Sequence, residues 1–146
     1  MKVGEVMQRN VTTVEKGELV GNAAKLMTSG CISGLPVMDG EKVVGMITES
    51  DVVQMFIPGI LRVLGEVPKI PGLEKYLERM DELAQKKVEQ IVSTHGAVTI
   101  TEEVELGEAI ALMVAKGVKK LPVTKEDKLV GIITYSDIIK VVADRS

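Results

Sequence analysis

Residues 11–56 lie over residues 97–142 at a constant shift of 86, with no gap. The identities cluster in two places. Leu35-Pro36-Val37 falls on Leu121-Pro122-Val123, and Gly45-x-Ile47-Thr48-x-Ser50-Asp51 falls on Gly131-x-Ile133-Thr134-x-Ser136-Asp137. Thr13/Thr99, Gly21/Gly107, Leu26/Leu112, Met27/Met113 and Lys42/Lys128 match between them. Upstream, KVGEVM resembles KVEQIV with a one-residue slip. A unit of roughly 50 residues buries too little surface to fold well alone. The two copies must therefore share a core, as repeated supersecondary units do.

Each copy carries the same local signals. A short strand is expected near Val11–Val14 and near Ala97–Ile100. Apolar residues at helical spacing then predict a helix over about Leu19–Ser29 and over Leu106–Lys116. Gly30 and Gly117 stand where a left-handed cap ends each helix. Two apolar runs around a short polar turn predict a hairpin, Leu35–Met38 with Val43–Thr48 and Leu121–Thr124 with Leu129–Thr134. Ser50-Asp51 and Ser136-Asp137 then open a last helix. The expected organisation is repeat 1 over residues 1–56, a linker over 57–86, and repeat 2 over 87–146. Pro58, Gly59, Gly65, Pro68, Pro71 and Gly72 break the first half of the linker. Its second half reads as an amphipathic helix, Leu73–Gln85, with Leu73, Tyr76, Leu77, Met80, Leu83 and Ala84 on one face.

Composition narrows the chemistry. Net charge is −3 and aromatic residues are 2% of the 146-residue chain, so a basic, stacking surface for nucleic acid is disfavoured. A local patch from Lys86, Lys87, Lys119 and Lys120 is the form such a surface would take. With one His and one Cys, a zinc site of the usual three or four Cys/His ligands is excluded. His95 reads as a solvated loop residue, and Cys31 as a small residue packed under the first helix. No glycine-rich phosphate loop is present. The longest apolar stretch, Val52–Leu64, is interrupted and too short for a spanning helix of ~20 residues. The start of the chain lacks a signal-peptide core, and a lone cysteine fits a reducing interior, so a cytoplasmic protein is expected.

The repeated Thr-x-Ser-Asp has two compatible readings. Ser or Asp before a helix is an ordinary N-cap. A carboxylate that accepts two hydrogen bonds also suits the vicinal hydroxyls of a ribose, and nearby hydroxyls can reach a phosphate. A cap does not use every acceptor, so both roles can coexist.

The paired Leu-Pro-Val strands and the paired G-apolar-apolar-T-x-S-D segments resemble the cystathionine-β-synthase (CBS) domain, and the whole chain resembles a tandem CBS pair, or Bateman module. The resemblance covers residues 1–56 and 87–146. It implies an α/β (α+β) fold of two β-α-β-β-α repeats packed as a pseudo-twofold pair, with two clefts between them. It implies adenosine-containing ligands: AMP, ADP, ATP, S-adenosylmethionine or NAD-type molecules, held as regulatory ligands with no required cofactor. The ribose-binding Asp of the family maps onto Asp51 and Asp137, and its hydroxyl positions onto Thr48, Ser50, Thr134 and Ser136. The base pocket maps around Thr13-Val14 and Thr99-Ile100. The residues before and within the Leu-Pro-Val strands map onto Ser33, Gly34 and Pro36 in one copy, and Lys119, Lys120 and Pro122 in the other.

Lys119 and Lys120 can neutralise phosphate, and Ser33 and Gly34 cannot, so the two sites are expected to be unequal. Which Asp shares a cleft with the lysines depends on how the copies pack. The resemblance also implies a homodimer that signals to a separate effector protein, with no catalysis of its own and no membrane association. The competing expectation is a ligand-free scaffold that dimerises and binds a protein partner.

Overall fold

The computed structural model describes residues 1–55 and 78–146. Most of the expected linker, including Leu73, Tyr76 and Leu77, lies outside the described residues. In chain order the elements are β1 (Val14–Glu15), α1 (Val20–Gly30), β2 (Gly34–Asp39), β3 (Lys42–Thr48) and α2 (Glu49–Gln54). They continue with α3 (Met80–Ala84), α4 (Leu106–Lys116), β4 (Lys120–Lys125), β5 (Lys128–Thr134) and α5 (Tyr135–Ala143). Two short 3-10 turns, Val3–Glu5 and Val88–Gln90, precede the two copies.

The strands form one mixed sheet in the order β1-β2-β3-β5-β4. β1 runs parallel to β2, and each hairpin is antiparallel. Both hairpins change register at the same place, between Val37 and Met38 and between Val123 and Thr124, so the sequence repeat is also a structural one. The halves meet at Lys42 and Lys128, residues related by the repeat shift. The expected first strand of the second copy contracts to a single parallel bridge, Ile100 to Val123.

Two expectations around α1 are corrected. Gly117 ends α4 in the left-handed region at φ +64°, but the equivalent residue after α1 is Cys31, at φ +51°. Gly30 is the last residue of α1, where a Cβ would meet the Ile32 side chain at 3.4 Å. Ile32 folds back there and donates its amide to the Met27 carbonyl at 3.0 Å, which fixes the cap one residue later. Cys31 is thus an exposed cap, not a residue packed under the helix. α3 packs on α1 where Gly21 gives room, since a Cβ there would lie 3.1 Å from the Ala84 carbonyl oxygen. Met80, expected on the apolar face of the linker helix, is 50% exposed.

The two cores exchange their leading segments. The first core joins Val14, Ala23, Met27, Leu35, Val37 and Ile47 to Val88, with Ile91 and Val92 packed against it. The second joins Ile100, Ala109, Met113, Leu121, Val123 and Ile133 to Val3 and Met7. Residues that begin one copy in sequence therefore complete the other in space. Backbone hydrogen bonds fix the exchange. Val88 N–H donates to the Glu18 carbonyl at 2.8 Å, and Val3 N–H to the Val104 carbonyl at 2.9 Å. Gln8 and Ile132 exchange two bonds of 2.9 Å. The repeated glycine of β3 and β5 is explained by this crossing. A Cβ on Gly131 would lie 2.8 Å from the Gln8 carbonyl oxygen, and one on Gly45 would collide with the Ser93 carbonyl oxygen.

Candidate functional site

The repeated Thr-x-Ser-Asp forms a reciprocal capping box in each copy. Asp51 Oδ2 accepts from Thr48 N–H at 2.8 Å and from Thr48 Oγ1 at 2.9 Å, while Asp51 N–H donates back to Thr48 Oγ1. Asp137 Oδ2 accepts from Thr134 N–H at 2.9 Å and Oγ1 at 3.0 Å in the same way. The box satisfies amides that the helix leaves without partners. It engages one oxygen of each carboxylate, and the copies differ in the other. Asp137 Oδ1 accepts from Gln8 Nε2 at 2.8 Å, whereas Asp51 Oδ1 accepts no hydrogen bond among the described residues. Asp137 is 8% exposed, and Asp51 is half-buried.

Asp51 opens onto a cleft between the copies. Ser33, Thr48, Glu49, Ser50 and Asp51 form one wall, and Lys119 and Lys120 the other, around a cavity of about 520 Å³. The lysines therefore share a cleft with Asp51. A second hollow of about 320 Å³ adjoins it, with Met46, Asp51, Val118 and Lys120 common to both. Gly96, Ala97 and Val98 close its far side. Gly34 sits beside Lys120, and a Cβ there would be in ordinary van der Waals contact with Lys120 Cδ at 3.5 Å. Burial of Lys120 pulls its pKa below the ordinary lysine value, and the charges of Asp137 and Glu49 oppose that shift. The cleft thus places two cationic side chains opposite a carboxylate oxygen and two hydroxyls, beside an apolar wall.

The other expected site residues are placed differently. Thr13 and Val14 line a separate hollow with Glu18, Asn22 and Lys25. Pro36 and Pro122 are fully buried within β2 and β4, so they do not face the cleft. Ile100 is buried in the second core, and Thr99 is exposed just beyond Val98. Thr134 and Asp137 are buried, while Ser136 is exposed. The sequence reading missed Met46, Val118 and the segment from Ile91 to Val98. The slip between KVGEVM and KVEQIV marks that segment, but only the exchange of leading segments carries it to Asp51. His95 is exposed, and the described residues contain no group of three His, Cys, Asp or Glu side chains placed to hold a metal ion. No described helix is long and apolar enough to cross a membrane.

Known proteins share this arrangement. The CBS domain family model matches residues 3–57 and again 88–144. An inosine-5'-monophosphate dehydrogenase of Methanocaldococcus jannaschii is 36% identical over 141 residues, which is 95% of this chain and 23% of that protein. The chain thus spans less than a quarter of the dehydrogenase. Among solved structures, the CBS domain pair of protein MJ0100, in complex with 5'-methylthioadenosine and S-adenosyl-L-methionine, superposes with a TM-score of 0.72. It is 22% identical, with 100% of this chain and 98% of that one covered. A structure of CBSX2 in complex with AMP gives 0.72 at 20% identity, covering 99% and 97%. With two matched copies over more than half its length, a duplicated capping box and a fold shared with CBS pairs, the chain belongs to the CBS domain family and carries its domain in tandem.

Proposed function

We propose that this CBS pair binds an adenosine-containing ligand in the Asp51 cleft and regulates a separate protein through it. The observation that carries the reading is the meeting of Asp51, Thr48 and Ser50 from one copy with Lys119 and Lys120 from the other. Asp51 Oδ1 is the acceptor for a ribose hydroxyl. The lysines neutralise a phosphate or carboxylate as mobile point charges. Met46, Val98 and Val118 offer apolar surface to a base. A hollow of this size suits one nucleotide or one S-adenosylmethionine. The two solved structures in complex with adenosine ligands support the choice of ligand class. A ligand that bridges both copies prefers the geometry in which both walls reach it, and that preference is what a partner can read.

A thermal-shift screen against AMP, ADP, ATP, S-adenosylmethionine, NAD and GTP tests the reading. Ligand that binds the folded state raises the melting temperature with its concentration over Kd. The expected result is a shift with an adenosine ligand that is lost in Asp51→Asn. Flat traces at millimolar ligand would overturn it in favour of a scaffold. Exposed apolar side chains favour a protein contact in either case: Val53, Ile139 and Val142 are 61%, 65% and 63% exposed. Val53 and Ile139 are equivalent across the repeat, so each copy presents an exposed apolar side chain at the same position of its last helix.

A further inference from the structure

We propose that Gln8 makes the two clefts unequal by holding, on Asp137, the place a ribose hydroxyl would take. This rests on the reading of Asp51 and Asp137 as ribose acceptors. The two carboxylates sit in superposable capping boxes, so the difference arises outside the motif. It arises in the exchanged leading segments. Under the KVGEVM/KVEQIV correspondence, Gln8 of the first segment is equivalent to Ser93 of the second.

Gln8 carries its carboxamide 2.8 Å from Asp137 Oδ1, completing that carboxylate. Ser93 has no such reach. It lines the hollow beside Asp51 and leaves Asp51 Oδ1 to the cleft. Gln8 and Asp137 line one hollow of about 570 Å³ with Lys140, Asp144 and Arg145, so the carboxamide shares the space a ligand of Asp137 would enter. The backbone on which it stands is fixed, because Gln8 and Ile132 exchange two 2.9 Å hydrogen bonds. A nucleotide entering the Asp137 cleft must break a hydrogen bond to a charged acceptor before it makes its own. Such a bond corresponds to roughly a ten- to hundredfold loss in affinity. The ligand therefore loads the Asp51 cleft first, and Gln8 sets how much later the second cleft fills.

The test is isothermal titration with AMP, and separately with S-adenosylmethionine, of the full chain and its Gln8→Ser and Gln8→Asn variants. Serine is the residue at the equivalent position, and asparagine keeps the amide but is one methylene short. Melting curves check that the variants fold. For the unmodified chain we expect one tighter site, removed by Asp51→Asn, and a second that is ten- to hundredfold weaker. In both Gln8 variants the second site should tighten by that factor while the first stays unchanged. Equal sites in the unmodified chain, or a second site unmoved in both folded variants, would overturn the role of Gln8 and leave the adenosine reading intact. No binding of either ligand to any of the proteins would overturn the adenosine reading, and this inference with it.

Discussion

Replacing Asp137 by alanine should cost far more stability than replacing Asp51, although the two stand at equivalent positions. Asp137 accepts three hydrogen bonds, from Thr134 N–H, Thr134 Oγ1 and Gln8 Nε2. Thr134 is 7% exposed, so its amide has little access to water once the carboxylate is gone. A buried donor left unsatisfied costs about 1–3 kcal/mol. Loss of the cap adds about 1 kcal/mol. Gln8 is exposed, so its freed carboxamide finds water and leaves no further buried donor unsatisfied. The expected loss for Asp137→Ala is roughly 2–4 kcal/mol. Thr48 and Asp51 are half-buried, so water can replace the missing carboxylate there. Asp51→Ala should then cost only the cap, about 1 kcal/mol. For a chain of this length each kcal/mol moves Tm by about 3 °C. Urea unfolding read by linear extrapolation, together with melting curves, measures both variants. Equal losses, or a larger loss for Asp51→Ala, would refute the argument from burial. The ligand response should run the other way, with Asp51→Ala losing the tighter site and keeping its fold.

Lys120→Ala should weaken AMP binding about tenfold while leaving adenosine binding unchanged, as the loss of one charge-assisted contact predicts; titration of both ligands checks it. Burial lowers the Lys120 pKa, so its ammonium destabilises the fold at lower pH and that cost is relieved as pH rises through the lowered value toward 10.5. Phosphate binding favours the ammonium, so AMP affinity should fall over the same alkaline range, and Lys120→Met should flatten that fall in titrations at stepped pH. Gly131→Ala places a Cβ 2.8 Å from the Gln8 carbonyl oxygen and 2.9 Å from Met7 Sδ, so it should cost about 1–3 kcal/mol in urea unfolding. Gly17→Ala, with nothing within 4 Å of its Cβ, is the neutral control. Ile139→Glu should convert a dimer to a monomer in size-exclusion chromatography with light scattering; an unmodified chain that is monomeric at micromolar concentration would refute the contact.

Local signals in the sequence placed the elements well because local physics forms them. Alternation and turn residues located both hairpins, and periodicity located α1 and α4 to within a residue or two at each end. The Thr-x-Ser-Asp motif marks each helix start, but the cap falls on Thr48 and Thr134 instead of the expected Ser or Asp, because Asp51 and Asp137 stand three residues on and close a reciprocal box. What the sequence did not show depends on contacts between distant residues. Gly30 was the better left-handed former by composition, yet Cys31 took the cap because Ile32 packs back into the core. The partner of Lys119 and Lys120 was set by how the copies face each other, which no local pattern encodes. The family resemblance maps the base-side wall to Thr13-Val14 and Thr99-Ile100. The exchange of leading segments instead brings Gly96 to Val98 to the cleft.

That exchange also gives the clefts a physical route to one another. Val88 and Val92 of the second leading segment belong to the first core, and Ser93, one residue on, lines the hollow beside Asp51. Val3 and Met7 of the first segment belong to the second core, and Gln8, one residue on, holds Asp137. Each cleft is therefore bordered by a strand of chain whose preceding residues are anchored in a core and whose following residues enter the other copy. A ligand that pulls on either segment does work against a core packed from both copies. Close-packed cores respond to such a load by shifting between discrete arrangements more readily than by deforming smoothly. Lys120 adds a second link, because the charges of Asp137 and Glu49 both act on it while its side chain lines the Asp51 cleft. Occupying the Asp51 cleft with an anion draws that ammonium toward the ligand and away from Asp137.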